Sequence, residues 1–136
     1  MSEEKIYTGS CLCGAIRYEI HGEIGEVIQC HCKRCRKANG TAFATNAPIQ
    51  KADFKIVQGE HLLKKFASTP TTARCFCSEC ASPIISIKAE TPDTYRLRIG
   101  TLDTPLEHKP VMHIFTAYKA EWDTICDGLP QYGERP

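Results

Sequence analysis

Three tight groups of cysteines limit what this chain can fold into more than any other feature of its sequence. Eight of the nine cysteines in 136 residues follow the spacings C-x-C, C-x-C-x2-C and C-x-C-x2-C, at positions 11–13, 30–35 and 75–80. The odd cysteine count and the lack of a secretory signal argue against a disulfide framework. Metal knuckles, in contrast, bring two ligands from one turn, and zinc accepts all-thiolate tetrahedra. The spacing therefore predicts metal binding, with Zn²⁺ as the ion.

Length and charge predict one domain without a nucleic-acid partner. A chain of 136 residues suits a single compact domain, which we place at 1–136. Lys and Arg number 17 and Asp and Glu 16, so the formal net charge of +1 provides no broad positive field for nucleic acid. No apolar stretch is long enough to span a membrane. The start MSEEKIYTGS lacks the apolar core of a secretory signal, so we expect a cytoplasmic protein without a membrane partner.

Alternating apolar and polar residues predict a mainly β fold. The segments AIRYEI (15–20) and TYRLRIG (94–100) alternate strictly, as half-buried strands do. In the second segment, the apolar residues are expected to face inward, whereas Arg96 and Arg98 face outward. Shorter apolar runs, separated by Gly, Pro, Asn and Thr, predict further strands. Together these patterns indicate small antiparallel sheets with few short helices.

Helix signals are confined to two short stretches. KRCRKA (33–38) predicts a short helix that ends at Asn39-Gly40, where glycine can form a C-terminal cap. YKAEWDTI (118–125) is the second candidate. The ending DGLPQYGERP (127–136) is rich in Gly and Pro, which predicts an irregular tail.

The cysteine spacing leaves open how the thiols are shared between ions. Four ligands close a structural zinc site, whereas three leave a position for water or substrate. Cys11 and Cys13 supply only two ligands, so they need a second knuckle from far along the chain. Two cysteines of either triplet would complete that tetrahedron, and the remaining triplet would then hold a second ion with an open position. Spacing alone does not decide which triplet plays which part.

Five motifs occur along most of the chain, and together they resemble one known family. They are GSCLCGAIRYEI (9–20), CHCKRCRKANGTAF (30–43), FCSECASPI (76–84), GTLD (100–103) and WDTICDGLPQYGERP (122–136). The chain resembles the glutathione-dependent formaldehyde-activating enzymes, whose domain also occurs in centromere protein V. The resemblance implies a β-tent fold of small sheets clamped by zinc, with two zinc ions per chain. It implies that one ion is structural and bound by Cys11, Cys13, Cys77 and Cys80, and that the second is open and bound by Cys30, Cys32 and Cys35.

The open trio determines the chemistry that the resemblance implies. A divalent ion with three thiolates has a formal charge of −1 and can accept a fourth thiolate. Either a thiol bound at the open position attacks an aldehyde, or the ion polarises the aldehyde for a nearby thiol. The expected function is a zinc-dependent carbon–sulfur lyase or synthase resembling S-(hydroxymethyl)glutathione synthase, acting on an aldehyde and a small thiol such as glutathione. The alternative is a zinc-stabilised binding module for a protein partner, without catalysis.

Cations beside the trio have two possible roles. Lys33, Arg34 and Arg36 could hold the carboxylates of a thiol substrate such as glutathione. They could equally form a solvated basic turn.

Other residues in and near these motifs carry weaker signals. His31 lies between two expected ligands, so its side chain should point away from the metal and pack or remain at the surface. Cys75 is either a half-buried free cysteine or a reactive thiol. Ala81 replaces the glycine usual after the last ligand in the resembled family, which predicts a turn without positive φ there. Trp122 is expected to anchor packing, and Cys126 to be buried and inert.

Overall fold

Ten strands in two sheets and one α-helix form most of the computed structural model, which describes residues 5–136. The helix, α1, spans Lys33–Asn39. The strands are β1 (Ile6–Ser10), β2 (Arg17–His21), β3 (Val27–Cys30), β4 (Ala44–Gln50), β5 (Phe54–Gln58), β6 (Leu63–Thr69), β7 (Thr72–Cys77), β8 (Pro83–Lys88), β9 (Thr94–Arg98) and β10 (Pro110–Ile114). Short 3₁₀ turns connect several of them, at Lys51–Asp53, Glu60–Leu62, Ile99–Thr101 and Thr116–Tyr118. The predicted mainly β fold is confirmed.

The smaller sheet contains three antiparallel strands in the order β1-β2-β5. Ile16, Tyr18 and Ile20 are buried, as the alternation in AIRYEI predicts. Gly9 is paired with Tyr18 across β1 and β2, and a Cβ at Gly9 would collide with the tyrosine ring. Glycine is therefore required there so that the buried ring can lie against the neighbouring backbone.

The larger sheet contains seven strands in the order β10-β3-β4-β9-β8-β7-β6. Its pairings are antiparallel except that β10 runs parallel to β3. A parallel pair needs a long connection, and most of the domain separates these two strands in sequence. The tail after β10 is irregular, as predicted, and lies along β10: His113 N donates to Pro130 O, and Tyr132 N donates to His113 O. The C-terminus thereby joins the edge of the larger sheet.

One face of the larger sheet packs in the main hydrophobic core, and part of the other face lines a cavity. The residues paired across four strands on one face are Ala47, Leu97, Ile85 and Cys75, and all are buried in the main hydrophobic core. The expectation that Arg98 faces outward to solvent is wrong, because Arg98 is only 6% exposed. Its side chain lies on the face opposite Leu97, as alternation requires, but that face lines a cavity.

Helix α1 is capped at both ends by residues of its own motif. Cys32 is the N-cap, and its Sγ accepts a hydrogen bond from Cys35 N. Gly40 ends the helix in the left-handed conformation with φ of 67°, which confirms the helix predicted over KRCRKA and its end at Asn39-Gly40. The second predicted helix is wrong: residues 119–125 form turns and irregular backbone after a 3₁₀ turn. No helix in residues 5–136 is long and apolar enough to cross a membrane.

Candidate metal centres

The first candidate centre is a cluster of four thiols contributed by two distant turns. The turn between β1 and β2 supplies Cys11 and Cys13, and the end of β7 with the following turn supplies Cys77 and Cys80. Their four Sγ atoms lie within 4.8 Å of one another. Cys11 Sγ is 3.6 Å from Cys13 Sγ, and Cys13 Sγ is 3.9 Å from Cys77 Sγ. A zinc tetrahedron with Zn–S bonds of about 2.3 Å has S···S edges of about 3.8 Å, so this donor set fits zinc.

Neighbouring donors support negative charge on these sulfurs. Ile16 N donates to Cys11 Sγ at 3.3 Å, and Glu79 N donates to Cys77 Sγ at 3.4 Å. Cys80 Sγ lies 3.3 Å from Ser82 Oγ. This contact with the Ser82 hydroxyl and a backbone hydrogen bond from Ser82 lower the pKa of Cys80 to about 5. These contacts therefore favour a thiolate at Cys80, the form that binds metal.

The turn after Cys80 differs from the prediction. Ala81 has φ of 66°, a left-handed conformation that non-glycine residues rarely adopt. Ala81 N donates to Cys77 O at 2.8 Å, which closes the knuckle around the two thiols. The prediction of a turn without positive φ is wrong. The turn that brings Cys77 and Cys80 together has a positive φ at Ala81, although this residue is not glycine.

The second candidate centre is formed by three thiols from one continuous segment. Cys30 ends β3, Cys32 caps α1, and Cys35 lies in the first turn of that helix. Their Sγ atoms also lie within 4.8 Å of one another. Among residues 5–136, no further Cys, His, Asp or Glu joins this group as a ligand. Three thiolates suit zinc and leave one tetrahedral position for an outside atom.

Contacts within the trio concentrate negative charge on its middle sulfur. Hydrogen bonding to the Cys30 and Cys35 thiols, with a smaller contribution from the charge of Arg74, lowers the pKa of Cys32 to about 2. The same contacts, together with burial, raise the pKa of Cys30. One sulfur of the trio is thus ready to act as a thiolate ligand.

The trio forms part of the wall of a cavity of about 170 Å³ that is rich in cations. The cations that line it are Arg34, Arg74, Lys88, Arg96, Arg98 and Arg135. Arg74 Nη2 lies 3.8 Å from Cys35 Sγ. Burial lowers the pKa of Arg98 to about 10, so its guanidinium remains charged at neutral pH. No aspartate or glutamate of the described chain lines this cavity.

The three cations singled out from the sequence are separated by the helix geometry. Arg34 lines the cavity beside the trio. Lys33 and Arg36 line a different surface groove, together with Trp122. Residues three apart share one face of a helix, so Lys33 and Arg36 turn the same way and Arg34 turns another. Arg36 Nη1 donates to Tyr118 O at 3.1 Å. Only Arg34 of the three is placed to meet a ligand beside the thiols.

Two histidines between the trio and the tail form a buried chain of contacts. His31 is fully buried, and its Nε2 lies 2.8 Å from His113 Nδ1. His113 Nε2 lies 2.8 Å from Asp127 Oδ2. His31 therefore packs between the sheet and the C-terminal segment, which agrees with the packing role expected from the sequence.

Two smaller predictions are wrong. Trp122 is 69% exposed and does not anchor packing, because the segment around it does not form the expected helix. Cys126 is exposed instead of buried. Cys75 is a free thiol in the main core, only 1% exposed.

Several residues of the cavity wall were missed by sequence reasoning. No sequence pattern singled out Arg74, because the cysteines that follow it on β7 carried the only motif of that segment. Arg96 and Arg98 were visible as charges that alternate along β9, and they would have been found by asking what covers the second face of a central strand. Arg135 reaches the cavity from the tail, with its guanidinium 5.7 Å from the centre of the Phe115 ring.

Comparison with known proteins gives consistent matches. A family model described as "Glutathione-dependent formaldehyde-activating enzyme" matches residues 6–118. A Halomonas elongata protein named "Putative glutathione-dependent formaldehyde-activating enzyme" is 31% identical over 125 residues, which cover 86% of this chain and 79% of that protein. An uncharacterised lyase of Schizosaccharomyces pombe is 31% identical over 78 residues, which cover 57% of this chain and 55% of the lyase.

A solved structure also shares the fold. The crystal structure of a Rhodobacter sphaeroides protein superposes with a TM-score of 0.62 at 23% identity, covering 74% of this chain and 91% of that chain. At this identity the match describes the fold alone.

Proposed function

The chain belongs to the glutathione-dependent formaldehyde-activating enzyme family, and from that premise we propose that it is a zinc-dependent carbon–sulfur lyase or synthase. In this proposal it joins an aldehyde such as formaldehyde to a small thiol such as glutathione, and it also catalyses the reverse reaction. Residues 1–136 act as a single zinc domain. None of the nine cysteines, all within residues 5–136, forms a disulfide, which suits a reducing compartment, so we place the protein in the cytoplasm.

The observation that carries this proposal is the difference between the two thiol clusters. Four sulfurs of one cluster complete a tetrahedron among themselves, which suits a structural ion held by Cys11, Cys13, Cys77 and Cys80. The other cluster has three sulfurs beside a cavity, which suits a second ion held by Cys30, Cys32 and Cys35 with a position left for substrate. Two zinc ions per chain follow from this assignment.

The residues around the trio would bind and orient the reactants. Zinc held by Cys30, Cys32 and Cys35 would lower the pKa of a substrate thiol beside it. The guanidinium of Arg74, beside Cys35, offsets the negative charge of the three thiolates. Arg34, which lines the cavity beside the trio, is placed to hold a carboxylate of the thiol substrate. In the synthetic direction a bond forms between the thiol sulfur and the aldehyde carbon, the carbonyl π bond breaks, and the oxygen takes up a proton.

Two measurements test the proposal. Metal analysis of protein purified in reductant should give two zinc ions per chain. Exchange spectroscopy of formaldehyde with glutathione should then show faster interconversion when the protein is present. Cys32→Ser should abolish the acceleration, whereas Cys126→Ser, which changes an exposed thiol outside both clusters, should retain it. An unchanged exchange rate with fully zinc-loaded protein would refute the catalytic role.

One observation favours the binding-module alternative. Trp122 is 69% exposed and lines a surface groove with Lys33, Arg36 and Lys37. Tryptophan and arginine, here Trp122 and Arg36, are both enriched at protein interaction sites. Zinc-loaded protein that leaves the exchange rate unchanged would favour this reading.

A further inference from the structure

We propose that the small molecule bound beside Cys30, Cys32 and Cys35 carries a compact oxyanion, held by Arg74 and Arg98. The inference deepens the proposed function, on which it rests for the assumption that the trio faces the reactants. Within the aldehydes of that proposal, it names as the preferred class those that carry an anionic group, ahead of a neutral aldehyde such as formaldehyde.

The strand register builds the anion site from one face of the larger sheet. Arg96 pairs with Ser86, and Ser86 pairs with Arg74, so these three side chains form a row across β9, β8 and β7. On the same face of β9, Arg98 is two residues from Arg96 and pairs with Asn46 of β4. All five residues line the cavity that contains the trio. Because they stand on central strands, their positions are fixed by the sheet.

Two of these arginines have donors that are buried and unused. Nε and Nη1 of Arg74 and Nε of Arg98 are buried and have no hydrogen-bond partner in the protein. Arg98 is 6% exposed, and its Nη1 meets only the Ser86 hydroxyl, at 3.4 Å. A buried guanidinium without an anion is costly, and its planar donors match a carboxylate or phosphate. An oxyanion ligand would satisfy these groups.

The charge of the cavity exceeds what the metal centre can balance. Three thiolates around a divalent ion leave a single negative charge, whereas six cations line the cavity, and no carboxylate of residues 5–136 lines it with them. Among residues 5–136, Arg74 makes the direct contact with a thiol of the trio, and Arg98 keeps a buried donor without a partner for another anion. The excess of positive charge therefore favours a substrate with its own negative group.

The size of the cavity limits where that negative group can be. Its volume of about 170 Å³ is below the range of roughly 300–1,000 Å³ that drug-sized ligands occupy. Because Arg74 lies beside Cys35, an anion on Arg74 and a reacting carbon near the trio are separated by only a few bonds. A short aldehyde that bears a carboxylate fits these limits. Its reaction balances in the same way: the sulfur bonds to the carbonyl carbon, the π bond breaks, and the oxygen takes the thiol proton.

Anion binding can be measured without catalysis. Zinc-loaded protein would be titrated calorimetrically with sulfate, phosphate and oxalate, at an ionic strength held constant with chloride. We expect saturable binding of at least one of them. Arg98→Gln and Arg74→Gln should each weaken it by about tenfold or more, because each removes charge-assisted hydrogen bonds. Arg17→Gln, which changes an exposed arginine of the smaller sheet, should bind like the unmodified protein.

Further variants keep the test decisive if one arginine proves necessary for folding. Arg98→Lys retains the charge but loses the planar fork, so its affinity should lie between those of the unmodified protein and Arg98→Gln. Arg74 is only half-buried, and Arg74→Gln can be judged alone if Arg98→Gln does not fold by circular dichroism. The proposal is overturned if no anion binds saturably, or if the folded cavity variants bind as tightly as Arg17→Gln.

A second measurement separates this inference from the catalytic proposal. Exchange between glutathione and either glyoxylate or formaldehyde would be followed with the same protein. We expect glyoxylate exchange to be accelerated more, and sulfate or phosphate to inhibit it. If the protein binds anions but accelerates neither exchange, the catalytic function is refuted and the anion site is supported. If it accelerates exchange with formaldehyde but binds no anion, the anion site is refuted and the catalytic function is supported.

Discussion

Replacing Cys77 by serine, with Cys75→Ser as its matched control, separates metal binding from burial. The two cysteines lie two positions apart on β7, share one face of the strand and are 0% and 1% exposed. Both substitutions bury a hydroxyl in place of a thiol in the same core. Only Cys77 has its sulfur in the four-thiol cluster. Any difference between the two variants therefore reports the metal ligand.

The expected magnitudes follow from this contrast. A buried hydroxyl without a partner costs about 1–3 kcal/mol, and both variants share this loss. A structural zinc contributes roughly 10–16 kcal/mol, of which one ligand in four represents about 2.5–4 kcal/mol. Cys77→Ser should therefore lose about 3.5–7 kcal/mol of unfolding free energy. That equals most of the stability of a domain at the lower end of the usual range of about 5–15 kcal/mol, which is where a domain of this size that depends on zinc is expected.

Urea denaturation followed by far-ultraviolet circular dichroism, in reductant with added zinc, measures both losses. Cys75→Ser should remain folded with two zinc ions per chain, whereas Cys77→Ser should be largely unfolded and retain at most one. Equal unfolding free energies for the two variants would refute the reasoning. So would a Cys77→Ser protein that still bound two ions.

Three further substitutions and one control test the second centre and the backbone. Cys32→Ser should leave the circular dichroism spectrum nearly unchanged but lower the zinc content from two ions to one, because the four-thiol cluster remains complete. Gly59→Ala should cost at least about 2 kcal/mol in urea denaturation, because Gly59 has φ of 77° and a Cβ would collide with the Ala15 carbonyl. Gly100→Ala is its control, with open space and a change below about 1 kcal/mol. Ala81→Gly should raise the unfolding free energy by about 0.5–1 kcal/mol by relieving the left-handed conformation, and an unchanged or lower midpoint would contradict that account.

Alternation in the sequence predicted the strands well but not what covers them. In β2 the apolar residues are buried as predicted, since that face of the sheet packs on the main core. In β9 the same pattern correctly predicted that Leu97 faces the core. It also placed Arg98 on the opposite face, but that face is buried instead of exposed to solvent. Period-two alternation states only that two faces differ. Whether the polar face meets water or a cavity depends on elements elsewhere in the chain.

Spacing predicted which cysteines form local groups but could not decide how those groups combine. Cys75, Cys77 and Cys80 have the same spacing as the trio at 30–35, yet the structure brings only two of the three into the four-thiol cluster. The selection is made by the turn after β7, where Ala81 takes a left-handed conformation. That geometry has no signature in the sequence, because alanine there predicts the opposite.

Arg74 occupies the position on β7 from which a fourth protein ligand could reach the trio. β7 passes beside Cys35, and the side chain it presents there is Arg74, whose guanidinium has only donors and cannot bind a metal ion. The next residue, Cys75, is a possible ligand, but alternation turns it to the core face of the sheet. A shift of one residue in the register of β7 would exchange the two and bring a thiol to the trio. Strand register therefore decides that no thiol of β7 lies beside the trio, and the same register supplies the cation that the proposed anionic substrate would need.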